Sequence, residues 1–162
     1  MSLWIADTSP LIFLAKLDRL DLLRKSADEV LVPPGVVEEI RRYQDEALDK
    51  IEEALGSWLG VRPVTQTEIL GILLADLDSG EAEAVALALE LRADRLVIDD
   101  LDARRLARRL GLDQIGTLGL LLAARLRGEL PSLKHEIERL LREGFRVGDR
   151  LALSVLRAAG EE

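Results

Sequence analysis

The chain has 162 residues, of which 48% are hydrophobic and 32% are charged, a composition typical of one folded globular domain and not of extended disorder. The absence of cysteine excludes disulfides, thiolate metal sites and cysteine nucleophiles, and the sole histidine, His135, cannot assemble a histidine-rich zinc site. The formal net charge of −8 argues against binding of nucleic acid by diffuse attraction over the whole surface.

Apolar runs of strand length alternate with stretches of helical spacing along the chain. In the first half they predict a strand at 3–6, helices at 9–15 and 19–25, a strand at 29–32, and a helix from 36 that continues with a break towards 55. A strand or extended link at 61–64 follows, and then helices at 65–75 and from 78 past 89. The rest of the sequence predicts strands at 96–98 and 112–115, with a helix at 101–110 between them, and helices at 118–126, 131–142 and 149–159. This alternation predicts an α/β fold of three layers, with a mainly parallel central sheet flanked by helices.

Residues with capping preferences set several predicted helix starts. Ser9 predicts the N-cap of the first helix, ahead of a proline, and Asp18 predicts the cap of the second. Asp78 and Glu81 have the spacing of a capping box in front of an alanine-rich helix. Thr117 predicts the N-cap of the apolar helix that follows it.

Acidic residues follow two predicted strands directly. Asp7 comes after the first strand, and Asp99 and Asp100 come after the strand at 96–98. Because ligands of parallel sheets collect beyond the carboxyl ends of the strands, these acids predict a binding site there. Grouped carboxylates repel one another until a cation neutralises them, and carboxylate oxygens suit Mg²⁺ and Mn²⁺. Phosphodiester cleavage is the chemistry that such a site supports best.

Four motifs, in their order along the chain, resemble those of the PIN-domain family: Asp7-Thr8-Ser9, Glu39-Ile40, Gly80-Glu81-Ala82-Glu83-Ala84 and Ile98-Asp99-Asp100-Leu101-Asp102. The stretches at 77–84 and 116–119 are similar to a prokaryotic branch of uncharacterised PIN proteins related to the ribonuclease toxins of toxin–antitoxin pairs. The resemblance covers residues 3–125 of the chain. We therefore predict a PIN-like nuclease core at 1–125 and a C-terminal helical extension of the same domain at 126–162.

The resemblance implies a metal-dependent ribonuclease that uses Mg²⁺ or Mn²⁺ as its cofactor. Metal binding and catalysis would fall to four carboxylates, those of Asp7, Glu39, Glu81 and Asp100. The accessory groups would be Thr8, Ser9, Asp99 and Asp102. Many PIN enzymes carry aspartate where this chain has Glu81, and the longer side chain moves the carboxylate. RNA as substrate, a homodimer and a candidate protein antitoxin also follow from the resemblance.

Each predicted site residue also has a structural interpretation. Asp7 can end a turn, and Glu81 can complete the capping box. Glu38 competes with Glu39, because either side chain can face solvent from the same helix, and we favour Glu39. The acids at 99–100 can stabilise the start of the next helix through its dipole.

Charged and aromatic residues set the expectations for RNA contact. The candidates for phosphate contacts are Arg104, Arg105, Arg108 and Arg109, and a second run near the end of the sequence could also grip phosphates: Arg139, Arg142, Arg146 and Arg150. A solvated helix face with intrahelical ion pairs is the alternative interpretation of these arginines. Aromatic residues make up only 3% of the chain, so the sequence shows no evident platform for stacking unpaired bases.

Two other functions stay open beside the nuclease. A non-catalytic PIN-like regulatory or binding module would retain the fold without cutting RNA. A receiver-like phosphotransfer domain also gathers acids at strand ends, but it needs a lysine after a late strand, and none is found there. Fold analogy alone does not decide between functions.

The cellular location is predicted from the apolar runs. No segment approaches the roughly 20 uninterrupted apolar residues of a membrane-spanning helix. The start of the chain, at residues 1–4, shows no basic region followed by an apolar stretch, so secretion is not indicated. We expect a cytoplasmic protein without a membrane partner.

Overall fold

The computed structural model of the protein describes residues 1–44 and 46–162. Its central sheet contains the strands β1 (Leu3–Ala6), β2 (Glu29–Val32), β3 (Leu59–Val61), β4 (Arg95–Val97) and β5 (Gln114–Ile115). Neighbouring strands pair in the order β3-β2-β1-β4-β5, and each of these pairings is parallel.

Helices cover both faces of this sheet. They are α1 (Thr8–Lys16), α2 (Leu20–Ser26), α3 (Pro34–Arg41), α4 (Glu46–Leu55), α5 (Thr67–Leu73), α6 (Ser79–Leu91), α7 (Leu101–Arg109), α8 (Thr117–Leu126), α9 (Leu133–Arg142) and α10 (Asp149–Ala158). The predicted three-layer α/β fold with a parallel sheet is confirmed. Among residues 1–44 and 46–162, no helix is long and apolar enough to cross a membrane.

Two apolar cores lie on opposite faces of the sheet, because successive side chains of a strand point in opposite directions. Trp4 and Ala6 of β1 belong to the core formed with α1, α2, α3, α4, α8 and α9. Ile5 belongs to the other core, under α6 and α7. The small side chains of α6, including the fully buried Ala82 and Ala84, let this helix pack closely on the sheet.

The strand order places a ligand-binding crevice between β1 and β4. The chain moves outward from β1 through β2 and β3, and then returns to build β4 and β5 on the other side. Open parallel sheets bind ligands where the strand order reverses in this way. Ala6 pairs with Val97, so β1 and β4 end at the same level. The order also differs from the β2-β1-β3-β4-β5 order of receiver-type domains, which argues against the receiver-like alternative.

Three predicted helix caps are wrong. Asp7 takes the N-cap position of α1 in place of Ser9, and Gly116 takes that of α8 in place of Thr117. The hydroxyls of Ser9 and Thr117 instead donate hydrogen bonds to the carboxylate of Asp99, which follows β4. Neither hydroxyl therefore caps the helix in which it lies. Asp18 does not cap α2, because its backbone adopts a left-handed conformation with a φ of 59°.

The last two helices close the first core over α1 and α8. Glu136 of α9, only 1% exposed, accepts hydrogen bonds from Arg19 at 2.7 Å and from Arg139 at 3.2 Å. A carboxylate at the end of the chain, that of Glu161, accepts from the backbone N–H of Leu133 at 2.6 Å. These bonds anchor the first turn of α9 to Arg19 and to Glu161. The division of the chain at residue 125 remains a prediction.

Candidate metal centre

Two adjoining clefts open at the carboxyl ends of β1 and β4. One has a volume of about 210 Å³ and lies between α1, α3 and the start of α6. The other has a volume of about 320 Å³ and is bordered by residues 99–100 and 144–146. Both are lined by Asp7, Ser9, Phe13 and Glu81, so we treat them as one acidic groove. A further cleft of about 440 Å³, between α2 and α4, contains none of the acids at the strand ends.

Asp7 is the buried centre of the acidic groove. Its side chain is only 5% exposed, and its Oδ1 atom is buried without a hydrogen-bond partner among the described residues. Burial raises the pKa of Asp7 to about 7, against a backbone hydrogen bond at Thr8, and the charges of Glu39, Asp78 and Asp99 raise it further. A buried carboxylate oxygen with no donor is costly, so this position favours a proton or a cation.

Glu81 brings a second carboxylate to the groove from the first turn of α6. Its backbone N–H donates to the Asp78 side chain at 3.0 Å, as the predicted capping box requires. Partial burial, and then the charges of Asp78, Asp100 and Asp7, raise the pKa of Glu81 to about 8, while a hydrogen bond from the Asp78 backbone opposes the rise. Glu81 therefore contributes both to a helix cap and to the acidic cluster.

Glu39 reaches the groove from α3. Its Oε2 atom accepts a hydrogen bond from Thr8 Oγ1 at 2.5 Å. Gly80, at the start of α6, lies so close to this carboxylate that a Cβ atom at position 80 would overlap Glu39 Oε2. Glu38 instead forms an exposed ion pair with Arg42 at 3.2 Å. The structure thus directs Glu39 to the groove and Glu38 to solvent.

The two acids that follow β4 have different partners. Asp99 accepts from Ser9 Oγ at 3.1 Å and from both the backbone N–H and the hydroxyl of Thr117, each at 2.7 Å. Asp100 caps α7 by accepting from the Ala103 N–H at 2.9 Å. Both acids line the groove. Asp99 therefore holds the starts of α1 and α8 together, and Asp100 combines a cap with a place beside Glu81.

Asp102, the fourth predicted accessory group, lies outside the groove. Its side chain is 86% exposed and pairs with Arg105 at 3.1 Å. Ala103 and Ala107 take the buried face of α7, which turns Asp102 towards solvent. The structure therefore does not bring Asp102 together with the other predicted site residues, and its accessory role remains a prediction.

The carboxylates share one groove without forming a ready coordination sphere. Within the part of the chain that the structure describes, no three His, Cys, Asp or Glu side chains are positioned to hold a metal ion together. Local hydrogen bonds account for this spacing, because Glu39 is bonded to Thr8 and Asp100 to the backbone of α7.

The charge of Asp78 is a feature of the groove that its sequence position did not reveal. The capping interpretation explains its bond to α6, yet its carboxylate also raises the pKa of both Asp7 and Glu81. Its position three residues before Glu81 predicted only the cap, although that spacing also brings the two carboxylates close together. Asp78 belongs to the acidic cluster as well as to the cap.

Aromatic residues were also underestimated. The chain has two Trp, one Tyr and two Phe residues, and three of these five, Phe13, Tyr43 and Phe145, line the groove. The sequence made no such grouping evident, whereas the structure brings these three rings to the groove. Composition counts aromatic residues, but only the fold shows that most of them share one site.

The arginines of α7 do not line the groove, although Arg104 approaches Asp99: a Cβ atom on Gly116 would lie 3.0 Å from Arg104 Nη1 and 2.9 Å from Asp99 Oδ1. Arg104 donates to Gln114 at 2.5 Å, and Arg105 pairs with Asp102. Arg108 and Arg109 are exposed in the last turn of the helix. Within residues 1–44 and 46–162, the basic residues that line the groove are Lys16 and Arg146. Contacts of the α7 arginines with RNA remain a prediction, and they would require RNA that extends beyond the groove along α7.

A parallel sheet with this strand order and acids at its carboxyl edge defines an α/β domain of the PIN type. A protein-family model described as a PIN domain matches residues 3–161. The chain belongs to this family, whose members are commonly nucleases. The match extends beyond residue 125, where the resemblance read from motifs ended.

Solved structures with a similar fold include the following one. It is a PilT N-terminus domain protein from the hyperthermophilic archaeon Sulfolobus solfataricus P2, with 21% identity, 80% of this chain and 95% of that chain covered, and a TM-score of 0.55. This likeness supports the fold alone. The curated proteins contain no match to the chain.

Proposed function

We propose that the protein is an endoribonuclease that depends on Mg²⁺ or Mn²⁺ held in the acidic groove. The buried Oδ1 atom of Asp7 carries this proposal, because it has no partner among the described residues. Burial, and then the charges of neighbouring acids, raise the pKa of Asp7 to about 7 and that of Glu81 to about 8, so negative charge on these two carboxylates is unfavourable in the groove. A divalent cation removes this penalty and supplies the missing partner.

The side chains around Asp7 fit a hard cation. Asp7 and Glu81 line both halves of the groove and would hold the ion, with Glu39 and Asp100 as further ligands. All four offer oxygen atoms, the donors that Mg²⁺ and Mn²⁺ prefer. When bound, such a cation activates water and neutralises charge on a phosphate.

The remaining groups of the groove hold these acids in place. Thr8 fixes the Glu39 carboxylate through its hydroxyl, and Asp99 fixes Ser9 and Thr117. The start of α1 is therefore tied to both neighbouring helices at the point where Asp7 projects. Such bonds reduce the side-chain motion that a metal ligand would otherwise lose on binding.

RNA as the substrate follows from the family resemblance, and it requires positive charge close to the acidic groove. The net charge of −8 leaves RNA binding to local cations, and Lys16 and Arg146 flank the acids. A toxin role with a protein antitoxin, and a homodimer, are further parts of the proposal that rest on the resemblance. Co-expression with the product of an adjacent small gene tests the antitoxin, and the molecular mass from light scattering tests the homodimer.

Cleavage assays on single-stranded RNAs of varied sequence test the proposed activity. We expect products with Mn²⁺ or Mg²⁺ and none with chelator. Glu39→Gln should lower the rate by at least about tenfold, because it removes a ligand charge. Glu38→Gln is the matched control, since Glu38 faces solvent, and it should retain the wild-type rate. Equal rates for the two variants would remove Glu39 from the site.

A non-catalytic PIN-like module is the second candidate function. The observation in its favour is that no three potential ligands converge among the described residues, while Glu39 and Asp100 serve structural bonds. Stabilisation of the fold by Mn²⁺, together with no cleavage of any RNA tested, would support this module over the nuclease.

A further inference from the structure

The segment between α9 and α10, at residues 143–148, is anchored on α1. The Phe145 ring packs edge-to-face on Phe13, with centroids 4.9 Å apart and an angle of 73° between the planes. Glu143 forms an ion pair with Lys16 at 3.9 Å. Gly144 turns the chain back after α9 with a φ of 92°, a conformation that glycine adopts readily. These contacts hold the segment, which we call the α9–α10 loop, against the acidic groove.

This loop brings an aromatic ring and a guanidinium group to the acids. Phe145 and Arg146 line the same half of the groove as Asp7, Glu81 and the acids at 99–100. In the part of the chain that the structure describes, the exposed Arg146 has neither a hydrogen bond nor an ion pair. A guanidinium group that stands near carboxylates and bonds to none of them is available to an incoming phosphate.

The other half of the groove also presents an aromatic residue. Tyr43 is 48% exposed and lines this half together with Glu39 and Phe13. Aromatic rings therefore lie on both sides of the position shared by Asp7 and Glu81. This arrangement fits a chain of nucleotides that crosses the acids with its bases turned to the protein.

We propose that the α9–α10 loop is part of the substrate site, where Phe145 with Phe13 stacks an unpaired base and Arg146 binds a neighbouring phosphate. The proposal rests on the proposed function, because it places this nucleotide beside the phosphodiester held at the acids. Paired bases are enclosed by their own helix and cannot stack on a protein ring in this way. The loop therefore makes the groove selective for single-stranded RNA.

A fluorescent base tests the stacking directly. The probe is a single-stranded oligoribonucleotide with 2-aminopurine, measured with Ca²⁺ in place of Mn²⁺ to slow cleavage. We expect the wild type to quench the probe and to bind it more tightly than the matching duplex. Phe145→Leu should weaken binding by about tenfold and lose the quenching, because leucine fills the space but offers no ring. Circular dichroism checks that this half-buried substitution leaves the fold intact.

A charge variant tests the phosphate contact without touching the core. Arg146→Gln should weaken binding by about tenfold and reduce the salt slope by about 0.7, the value for one phosphate contact on a single strand. Arg142→Gln is the matched control, since Arg142 is exposed on α9 and lies outside the groove lining. An equal loss in both variants would show diffuse attraction and overturn the role of Arg146.

The outcomes separate this proposal from the nuclease assignment. Metal-dependent cleavage by the wild type, with unchanged binding and quenching in Phe145→Leu and Arg146→Gln, would overturn the loop site and leave the nuclease. Quenching that depends on Phe145, with no cleavage under any metal, would support the loop site and overturn the nuclease. A wild type that binds neither single-stranded nor duplex RNA would overturn the loop site.

Discussion

Asp7 joins the end of β1 to the start of α1, and its carboxylate is the most deeply buried acid of the groove. Burial is the main reason that the pKa of Asp7 rises to about 7, and the pKa of Glu81 rises to about 8 for the same leading reason. In the unfolded chain such groups lose their protons near pH 4. Between these values the folded protein holds protons that the unfolded chain has released, so stability falls as pH rises.

The first prediction concerns this pH dependence in the absence of metal. From about pH 5 to pH 8, we expect the melting temperature of the wild type in chelator to fall by roughly 5 to 10 °C. Asp7→Asn removes one of the charges and should flatten the profile, so that the variant is more stable than the wild type at the upper end. Thermal denaturation followed by circular dichroism measures both profiles. A wild-type melting temperature that rises over this range would contradict the account.

Sequence motifs located the acids better than they located their partners. Asp7 and Glu39 could be predicted as groove residues, because each has a fixed place relative to a strand or helix that the apolar pattern defines. The hydrogen bonds of Asp99 could not, since Ser9 and Thr117 come from separate helices and meet only in the folded sheet. The sequence groups Arg146 with Arg139, Arg142 and Arg150 as arginines that could grip phosphates, but it does not place Arg146 beside the acids, because packing positions the loop that holds it.

At the scale of elements, the close contact between α3 and α6 sets the position of Glu39. Gly80→Ala should displace this carboxylate and break its bond with Thr8, because the added Cβ would overlap Glu39 Oε2. We expect metal-dependent cleavage to drop by at least about tenfold in a folded protein, as misplacement of a site group usually has large effects.

Gly71 provides the matched control for this substitution. It lies within α5, and a Cβ added there would meet no atom within 4 Å. Gly71→Ala should therefore stabilise the protein by about 0.5–1 kcal/mol and leave cleavage unchanged. Melting temperatures measure the stability of both variants, and cleavage rates measure their activity. Wild-type activity in Gly80→Ala would show that the contact with Glu39 has no role in the site.

The exposed end of α7 allows a prediction about the path of RNA beyond the groove. Arg108 and Arg109 are the α7 arginines without a side-chain partner in residues 1–44 and 46–162, whereas Arg104 and Arg105 are bonded within the protein. If RNA extends along α7, Arg108→Gln with Arg109→Gln should weaken binding and lower the salt slope by about 1.4. Affinities at several salt concentrations measure this. An unchanged slope would assign both arginines to a solvated helix face.

Some element boundaries follow the apolar pattern and others differ from it: β4 begins and ends one residue before the predicted strand at 96–98, and β5 begins two residues after the predicted start at 112. β1 and β2 were predicted with the ends that the structure shows, because short apolar runs closed by an acid or by prolines leave little choice. β3 begins two residues earlier than the predicted extended segment at 61–64. Its pairing with β2, and not its own sequence, determines where it starts.

At the scale of the whole molecule, folding gathers acids that repel until a cation binds. Mn²⁺ should therefore raise the stability of the wild type, by about 2.7 kcal/mol at 100 times the dissociation constant if the unfolded chain does not bind. Thermal denaturation over a series of Mn²⁺ concentrations measures this gain. Asp7→Asn should show a much smaller gain. Equal melting temperatures with excess Mn²⁺ and with chelator in the wild type would count against a metal site.

The fold as a whole could be predicted from the alternation of strands and helices, whereas the shape of the groove could not. Parallel order follows from helices inserted between strands, and the position of the site follows from the carboxyl ends of β1 and β4. The contribution of residues 143–148 depends on how α9 and α10 pack against α1. That packing joins parts of the chain that are far apart in sequence, and no local pattern encodes it.

Cleavage by Asp7→Asn tests the central claim most directly, because this substitution keeps the side-chain size and removes one carboxylate charge from the centre of the groove. Wild-type and variant protein are assayed on one single-stranded RNA with Mn²⁺, after circular dichroism has shown that both are folded. We predict metal-dependent cleavage by the wild type and a loss of at least about a hundredfold in the variant. Cleavage by folded Asp7→Asn at the wild-type rate would contradict a metal centre at Asp7.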